Sequence, residues 1–136
     1  MRERVVLVVD GDRKVRALVK RVLREAGYRV FEATTGLETL AICACRPIDL
    51  ILTDLALSGI GAAQLAEAVR ERFPSVSILG MSAHPEINPP GPIRECLRKP
   101  LDAAHLLARV HEHLAVPPKK RAATASPVLR WSEKQG

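Results

Sequence analysis

Hydrophobic positions along this chain fall into two alternating rhythms. Residues 4–9 (RVVLVV) end their apolar, β-branched run at Asp10-Gly11-Asp12. A continuous run of this kind predicts a strand buried on both faces, as in a parallel sheet. Val15, Leu18, Val19, Val22, Leu23 and Ala26 then recur at helical spacing, and Gly27 stands where such a helix would stop. The unit repeats. Residues 28–32 predict a second strand, and Leu37, Leu40, Ala41 and Ala44 the inward stripe of a second helix, closed before Pro47. Residues 48–53 (IDLILT) predict a third strand. Beyond Gly59 and Gly61, the positions of Leu65, Ala66, Val69 and Phe73 predict a third helix. Residues 76–81 predict a fourth strand and residues 95–98 a short fifth. Ala103, Leu106, Leu107, Val110 and Leu114 stripe a closing helix capped by Asp102.

One interval breaks the rhythm. Between the fourth and fifth strands, Pro85, Pro89, Pro90, Gly91 and Pro92 leave room for little more than one helical turn. The whole pattern predicts an α/β fold: a doubly wound, five-stranded parallel sheet with helices on both faces, its helix before the last strand short or missing. In such sheets the functional residues gather at the carboxyl ends of the strands, near the topological switch point.

Composition narrows the picture. A length of 136 residues suits one ordinary core, and with aromatics at 3% that core is built from Val, Leu, Ile and Ala. The apolar run near the start is too short to cross a bilayer and lacks a signal-peptide cleavage site, so a cytoplasmic protein is expected. Three cysteines without framework spacing argue against a disulfide scaffold. Cys43 and Cys45 point in different directions on a helix, and no Cys/His set completes a tetrahedral metal shell, so buried structural thiols are expected. His105, His111 and His113, on the closing helix, read as surface histidines.

The net charge of +6 is uneven: residues 115–136 carry five Lys and Arg against one Glu. The expected division is therefore a domain over residues 1–115 and a basic, disordered tail over 116–136, with Pro117-Pro118 and Lys119-Lys120-Arg121. Trp131 in that tail has no core to enter, so it docks on a partner or on the domain, or belongs to a linker remnant. The first helix carries Arg13, Lys14, Arg16, Lys20, Arg21 and Arg24, either as a solvated face or as a surface that steers an acidic partner. Aromatic stacking platforms are absent, so nucleic acid is not an expected partner.

Four strand ends carry candidate chemistry: Asp10 and Asp12 after the first, Asp54 after the third, Ser82 after the fourth and Lys99 after the fifth. On a common sheet edge they converge. Clustered carboxylates repel unless a divalent cation neutralises them, and hard oxygen ligands suit Mg²⁺. A lysine and a hydroxyl beside that cation would hold the oxygens of a phosphoryl group moving onto a carboxylate. Asp54 closes an otherwise apolar run, where an unpaired buried charge is costly.

The segments VVLVVDGD, DLILTDLALSG, ILGMSA and LRKPL, in that order over residues 4–114, resemble the CheY-like receiver domains of two-component response regulators. The resemblance implies that Asp54 accepts the phosphoryl group, Asp10 belongs to an acidic metal pocket, Ser82 supplies the hydroxyl that follows the phosphoryl group, and Lys99 is its charge partner. It implies a cis Lys99–Pro100 peptide and a magnesium site made by Asp10, Asp54 and the backbone carbonyl of Ala56. Asp12 either adds to that site or caps the helix beginning at Arg13. The implied partner is a histidine kinase or phosphotransfer protein, and the chain assists its own phosphorylation without being an enzyme. The residues after Leu114 are too few for an output domain, so the signal is expected to leave through contact with a downstream protein.

Several positions depart from that pattern. Gly11 replaces a second acid, which weakens the expected magnesium site. Cys96 stands three residues before the lysine, where an aromatic switch residue is common, and Ser58 replaces a proline four residues after the acceptor. Gly11, Cys96 and the eroded helix before the last strand favour a competing reading, a pseudo-receiver scaffold that works without phosphorylation.

Overall fold

A computed structural model describes residues 3–84 and 88–115 of the chain. Five strands, β1 (Val5–Val9), β2 (Arg29–Ala33), β3 (Leu50–Asp54), β4 (Ser77–Ser82) and β5 (Cys96–Arg98), are joined through four helices, α1 (Arg13–Glu25), α2 (Gly36–Cys45), α3 (Ala62–Arg72) and α4 (Ala103–Ala115). All strand pairs are parallel, in the order β2-β1-β3-β4-β5. This is the doubly wound α/β fold anticipated above. Each strand begins one or two residues later than its pattern suggested.

Alternating positions along the strands feed two apolar layers. Val6, Val8, Leu50, Leu52, Leu79 and Met81 pack against Val19 and Leu23 of α1 and Leu106, Val110 and Leu114 of α4. Val5, Leu7, Val9 and Ile51 face Cys43, Leu65 and Val69 of α2 and α3. Both faces are therefore covered, which is why β1 and β3 read as unbroken apolar runs. Each such side chain, fully buried, stabilises the fold by about 1.5–3 kcal/mol.

Local chemistry sets the helix ends. The Asp12 carboxylate accepts the Lys14 N–H at 2.8 Å and caps α1. Beyond α1, Gly27 takes φ +98°, a conformation open to glycine without a Cβ penalty. Asp102 accepts the His105 N–H at 2.8 Å, so the expected cap of the last helix is present. At the opposite edge of the sheet, buried Asp49 accepts the Val5 N–H at 2.8 Å, with Arg4 at 3.7 Å.

Helix α2 lies on a different face than its stripe of Leu37, Leu40, Ala41 and Ala44 predicted. Gly36, Thr39 and Cys43 are buried and Leu40 half-buried, while Leu37 is 66% exposed and Ala41 and Ala44 are exposed. The helix is apolar on several sides, so periodicity could not choose between them. A close approach decides it: a Cβ on Gly36 would stand 2.5 Å from Ile60 Cγ1. Thr39 tolerates burial because its hydroxyl donates to the Thr35 carbonyl at 2.8 Å.

No helix occurs between β4 and β5 among the described residues, as the prolines anticipated. Instead the Ile93 N–H donates to the Pro90 carbonyl at 3.1 Å, closing a turn that has Gly91 at φ +55°. Ile93 is buried against Ala62 and Ala66 of α3, with Leu55 beside them. A Cβ on Gly80 would lie 3.0 Å from Leu55, 3.3 Å from Ile93 and 3.4 Å from Cys96. The bare backbone of β4 thus lets one isoleucine plug the sheet face that a helix would otherwise cover.

Two side-chain expectations need correction. Only Cys43 is a buried thiol; Cys45 is exposed and Cys96 half-buried. His113 is no plain surface histidine, since its Nε2 lies 2.8 Å from Glu95 Oε1 and its Nδ1 3.2 Å from Ser77 Oγ. Arg109 clasps the same Glu95 through both oxygens, at 2.6 and 2.8 Å, and α4 is tied to β4 and β5 by this network. Residues 116–136, with Trp131 and the basic run, lie outside the described residues, and so do the expectations placed on them.

Candidate functional site: an acidic pocket with a lysine

Main-chain hydrogen bonds extend the sheet one step past the strands and fix the pocket's floor. The Asp10 N–H donates to Ala33 at 3.1 Å, Leu55 to Met81 at 2.9 Å, and Lys99 to Ser82 at 2.8 Å. The residues that follow β1, end β3 and follow β5 are thereby carried to one edge.

There Asp10, Asp54 and Lys99 meet. Lys99 Nζ lies 2.6 Å from Asp10 Oδ2 and 3.4 Å from Asp54 Oδ1. The side chains of Asp10, Asp54 and Lys99 are 2%, 14% and 17% exposed, so Asp10 is shut in while Asp54 keeps an open side. Burial alone would push the Lys99 ammonium down, but the hydrogen bond and charge of Asp10, with Asp54 behind them, outweigh it and raise it above the ordinary lysine value. The Lys99–Pro100 peptide is cis. Two carboxylates against one ammonium leave this group with a net charge of about −1.

The other predicted residues take different places. Ser82 is buried at the end of β4, and its hydroxyl accepts the His84 N–H at 3.0 Å and donates to the His84 carbonyl at 3.3 Å. Among the described residues it is therefore turned to the crossover's main chain, not to Asp54 or Lys99. Asp12 does not join the two acids: its carboxylate caps α1, and no group of three His, Cys, Asp or Glu among the described residues is placed to hold a metal. Ala56 stands two residues past Asp54 in an exposed loop. Gly11 has open space where a Cβ would stand. Cys96 borders the pocket, and burial first, then the Asp54 carboxylate, pushes its thiol up to about 11.

A family model, the response regulator receiver domain, matches residues 6–111. The chain belongs to this family. Among the relatives of this receiver, the DNA-binding transcriptional regulator NtrC of Salmonella typhimurium is 30% identical over 88 residues, 65% of this chain and 19% of NtrC. Sensor protein EvgS of Escherichia coli is 30% identical over 128 residues, 85% of this chain and 10% of EvgS. The receiver thus spans a fifth or less of these relatives' length. The chemotaxis response regulator CheY4 of Vibrio cholerae has the same fold at a TM-score of 0.74, with 25% identity over 83% of this chain and all of that one. A response regulator from Thermotoga maritima shares the fold at 0.75, with 24% identity, over 85% of this chain and all of its own.

Two features of the receiver's pocket escaped the sequence. Arg16, read there only as one of six basic residues, donates from Nη1 to the Asp10 carbonyl at 2.7 Å and from Nε to Glu32 at 3.1 Å. Lys20 holds the other Glu32 oxygen at 2.8 Å. Nothing in the periodicity links Glu32 to Arg16, because the packing of α1 against β2 brings them together. No helix among the described residues is long and apolar enough to cross a membrane.

Proposed function

We propose that this receiver accepts a phosphoryl group on Asp54 from a phosphohistidine of a histidine kinase or phosphotransfer protein, and signals by protein contact. The observation that carries this reading is the partly open Asp54 carboxylate, 3.4 Å from a lysine that is itself anchored on a buried acid. A P–O bond forms at an Asp54 oxygen as the donor's P–N bond breaks; the electron pair stays on the imidazole, which then takes up a proton. Lys99 lies where its ammonium meets the charge developing on the phosphoryl oxygens. Ser82 would exchange its His84 bond for one of those oxygens.

Charge indicates what else the pocket takes. A phosphoryl group brings about −2 to a site that Lys99 alone does not balance. Mg²⁺ binds through one or two carboxylates with waters and substrate phosphates, and Asp10, Asp54 and the Ala56 carbonyl are oxygen donors of that class. These residues fit a magnesium ion, which when bound neutralises phosphoryl charge. With Gly11 offering no ligand and Lys99 holding Asp10, the site is expected to be weak. The domain is assigned to residues 1–115, with 116–136 as a tail, in a cytoplasmic protein.

One observation favours a scaffold that needs no phosphorylation: both Asp10 oxygens are already engaged, by Lys99 and by the Asp12 N–H. Incubation with Mg²⁺ and acetyl phosphate, read by intact mass beside Asp54→Asn, separates the two. A gain of one phosphoryl group in the wild type alone supports the receiver activity. Equal gain in both proteins removes Asp54 as acceptor. No gain, with function retained in Asp54→Asn, leaves the scaffold.

A further inference from the structure

We propose that Arg16 is a positioning residue for the pocket, holding the Asp10–Gly11 peptide in the orientation that presents the Asp10 carboxylate to Lys99. The proposal rests on the receiver reading of Asp54 and deepens it.

The carbonyl of Asp10 belongs to a residue only 2% exposed, and a buried carbonyl without a partner costs about 1–3 kcal/mol. Arg16 Nη1 supplies that partner at 2.7 Å. The same guanidinium is held in place by Glu32 on β2 at 3.1 Å, and Glu32 is steadied in turn by Lys20 at 2.8 Å. The Arg16 side chain is 14% exposed, so this brace is shielded from water more than a surface ion pair is.

Gly11 makes the brace matter. Glycine turns about its backbone more freely than any other residue, and no atom lies within 4 Å of where its Cβ would stand. Gly11 therefore brings no side chain of its own to restrain the peptide it shares with Asp10. Rotation of that peptide about Gly11 would also shift the Gly11–Asp12 peptide that follows, whose Asp12 N–H donates to Asp10 Oδ1 at 2.8 Å, and so release the carboxylate whose Oδ2 holds Lys99 at 2.6 Å. Arg16 reaches neither Asp54 nor Lys99 directly, and so acts through Asp10 alone.

The test compares wild type, Arg16→Ala, Arg16→Lys and Arg21→Ala, with melting curves to confirm folding. The first readout is the backbone amide resonance of Asp12, which a bond to a carboxylate moves downfield. The second is the rate of phosphoryl uptake from acetyl phosphate with Mg²⁺, by intact mass. Arg16→Ala is expected to lose the downfield position of the Asp12 amide and to slow uptake by roughly 10- to 100-fold, the usual cost of a displaced catalytic group. Arg16→Lys cannot span Asp10 and Glu32 with one ammonium, so the same directions are expected there, and it carries the test if Arg16→Ala melts early. Arg21→Ala, exposed on the same helix and outside the brace, should behave as wild type. An unmoved Asp12 amide and wild-type uptake in a folded Arg16→Ala would overturn the proposal. Failure of uptake in the wild type itself, with function retained in Asp54→Asn, would sink the receiver reading instead, while the amide position would still decide the role of Arg16.

Discussion

The connections that leave β1 and β4 border the same pocket but are held by opposite means. After β1 the chain is fixed by polar bonds of defined direction: Asp10 engages Ala33, Asp12, Arg16 and Lys99 through its main chain and carboxylate. After β4 it is fixed by an apolar plug, Ile93 against Ala62 and Ala66 over the bare Gly80. Hydrogen bonds specify where an atom points, while apolar packing specifies mainly that a space is filled. Asp10, whose carboxylate faces Lys99, sits on the first kind of connection, and the turn that covers the sheet is the second kind.

The largest effects should come from the plug. Ile93→Ala is expected to destabilise the fold by about 2–3 kcal/mol, because it leaves a cavity among Ala62, Ala66, Leu55 and Ile78; urea denaturation would show this. Unchanged stability would mean that the crossover floats free of the sheet. Gly80→Val forces methyl groups against Leu55, Ile93 and Cys96 and should cost roughly 1–3 kcal/mol by the same measurement. A neutral result would show that Ile93 can back away without loss.

On the polar side, Gly11→Asp meets open space and should leave stability nearly unchanged. It should tighten Mg²⁺ binding on the order of tenfold in calorimetry, the equivalent of about 1.4 kcal/mol from one added carboxylate. No tightening would mean that Lys99, not the missing acid, limits the site.

Smaller still is the pH response. The Lys20 hydrogen bond, against a contrary push from burial and with help from Arg16, holds the Glu32 carboxyl below its ordinary 4.5. A depressed carboxyl stabilises the fold above its unfolded pKa, and that contribution fades as pH falls through the folded one. Lys99 is raised above 10.5, so its contribution is complete below that value and is lost as pH climbs through the raised one. Melting temperature should therefore show no step from either group between about pH 5 and 10, and Arg16→Ala should blunt the acid-side loss by a few tenths of a kcal/mol. Smallest of all, Leu37→Gln should stay within about 0.5 kcal/mol of wild type, which would confirm that α2 turns this leucine to water.

Much of this protein was written in its chain order. The unbroken runs ending at Asp10 and Asp54, the helical stripes of α1, α3 and α4, and the prolines before β5 fixed the doubly wound sheet and left no helix between β4 and β5 among the described residues, because burial on two faces and proline's lost N–H are properties of local composition. The meeting of Asp10, Asp54 and Lys99 followed, since strand ends of a parallel sheet share one edge. Tertiary structure alone decided the rest. The face α2 buries was set by the approach of Gly36 to Ile60, the direction of Ser82 by His84, the retreat of Asp12 to a helix cap by the turn it opens, and the anchoring of Arg16 on Glu32 by the packing of α1 against β2. The first and last join segments far apart in sequence, and the other two depend on how a turn folds; periodicity within one segment records neither.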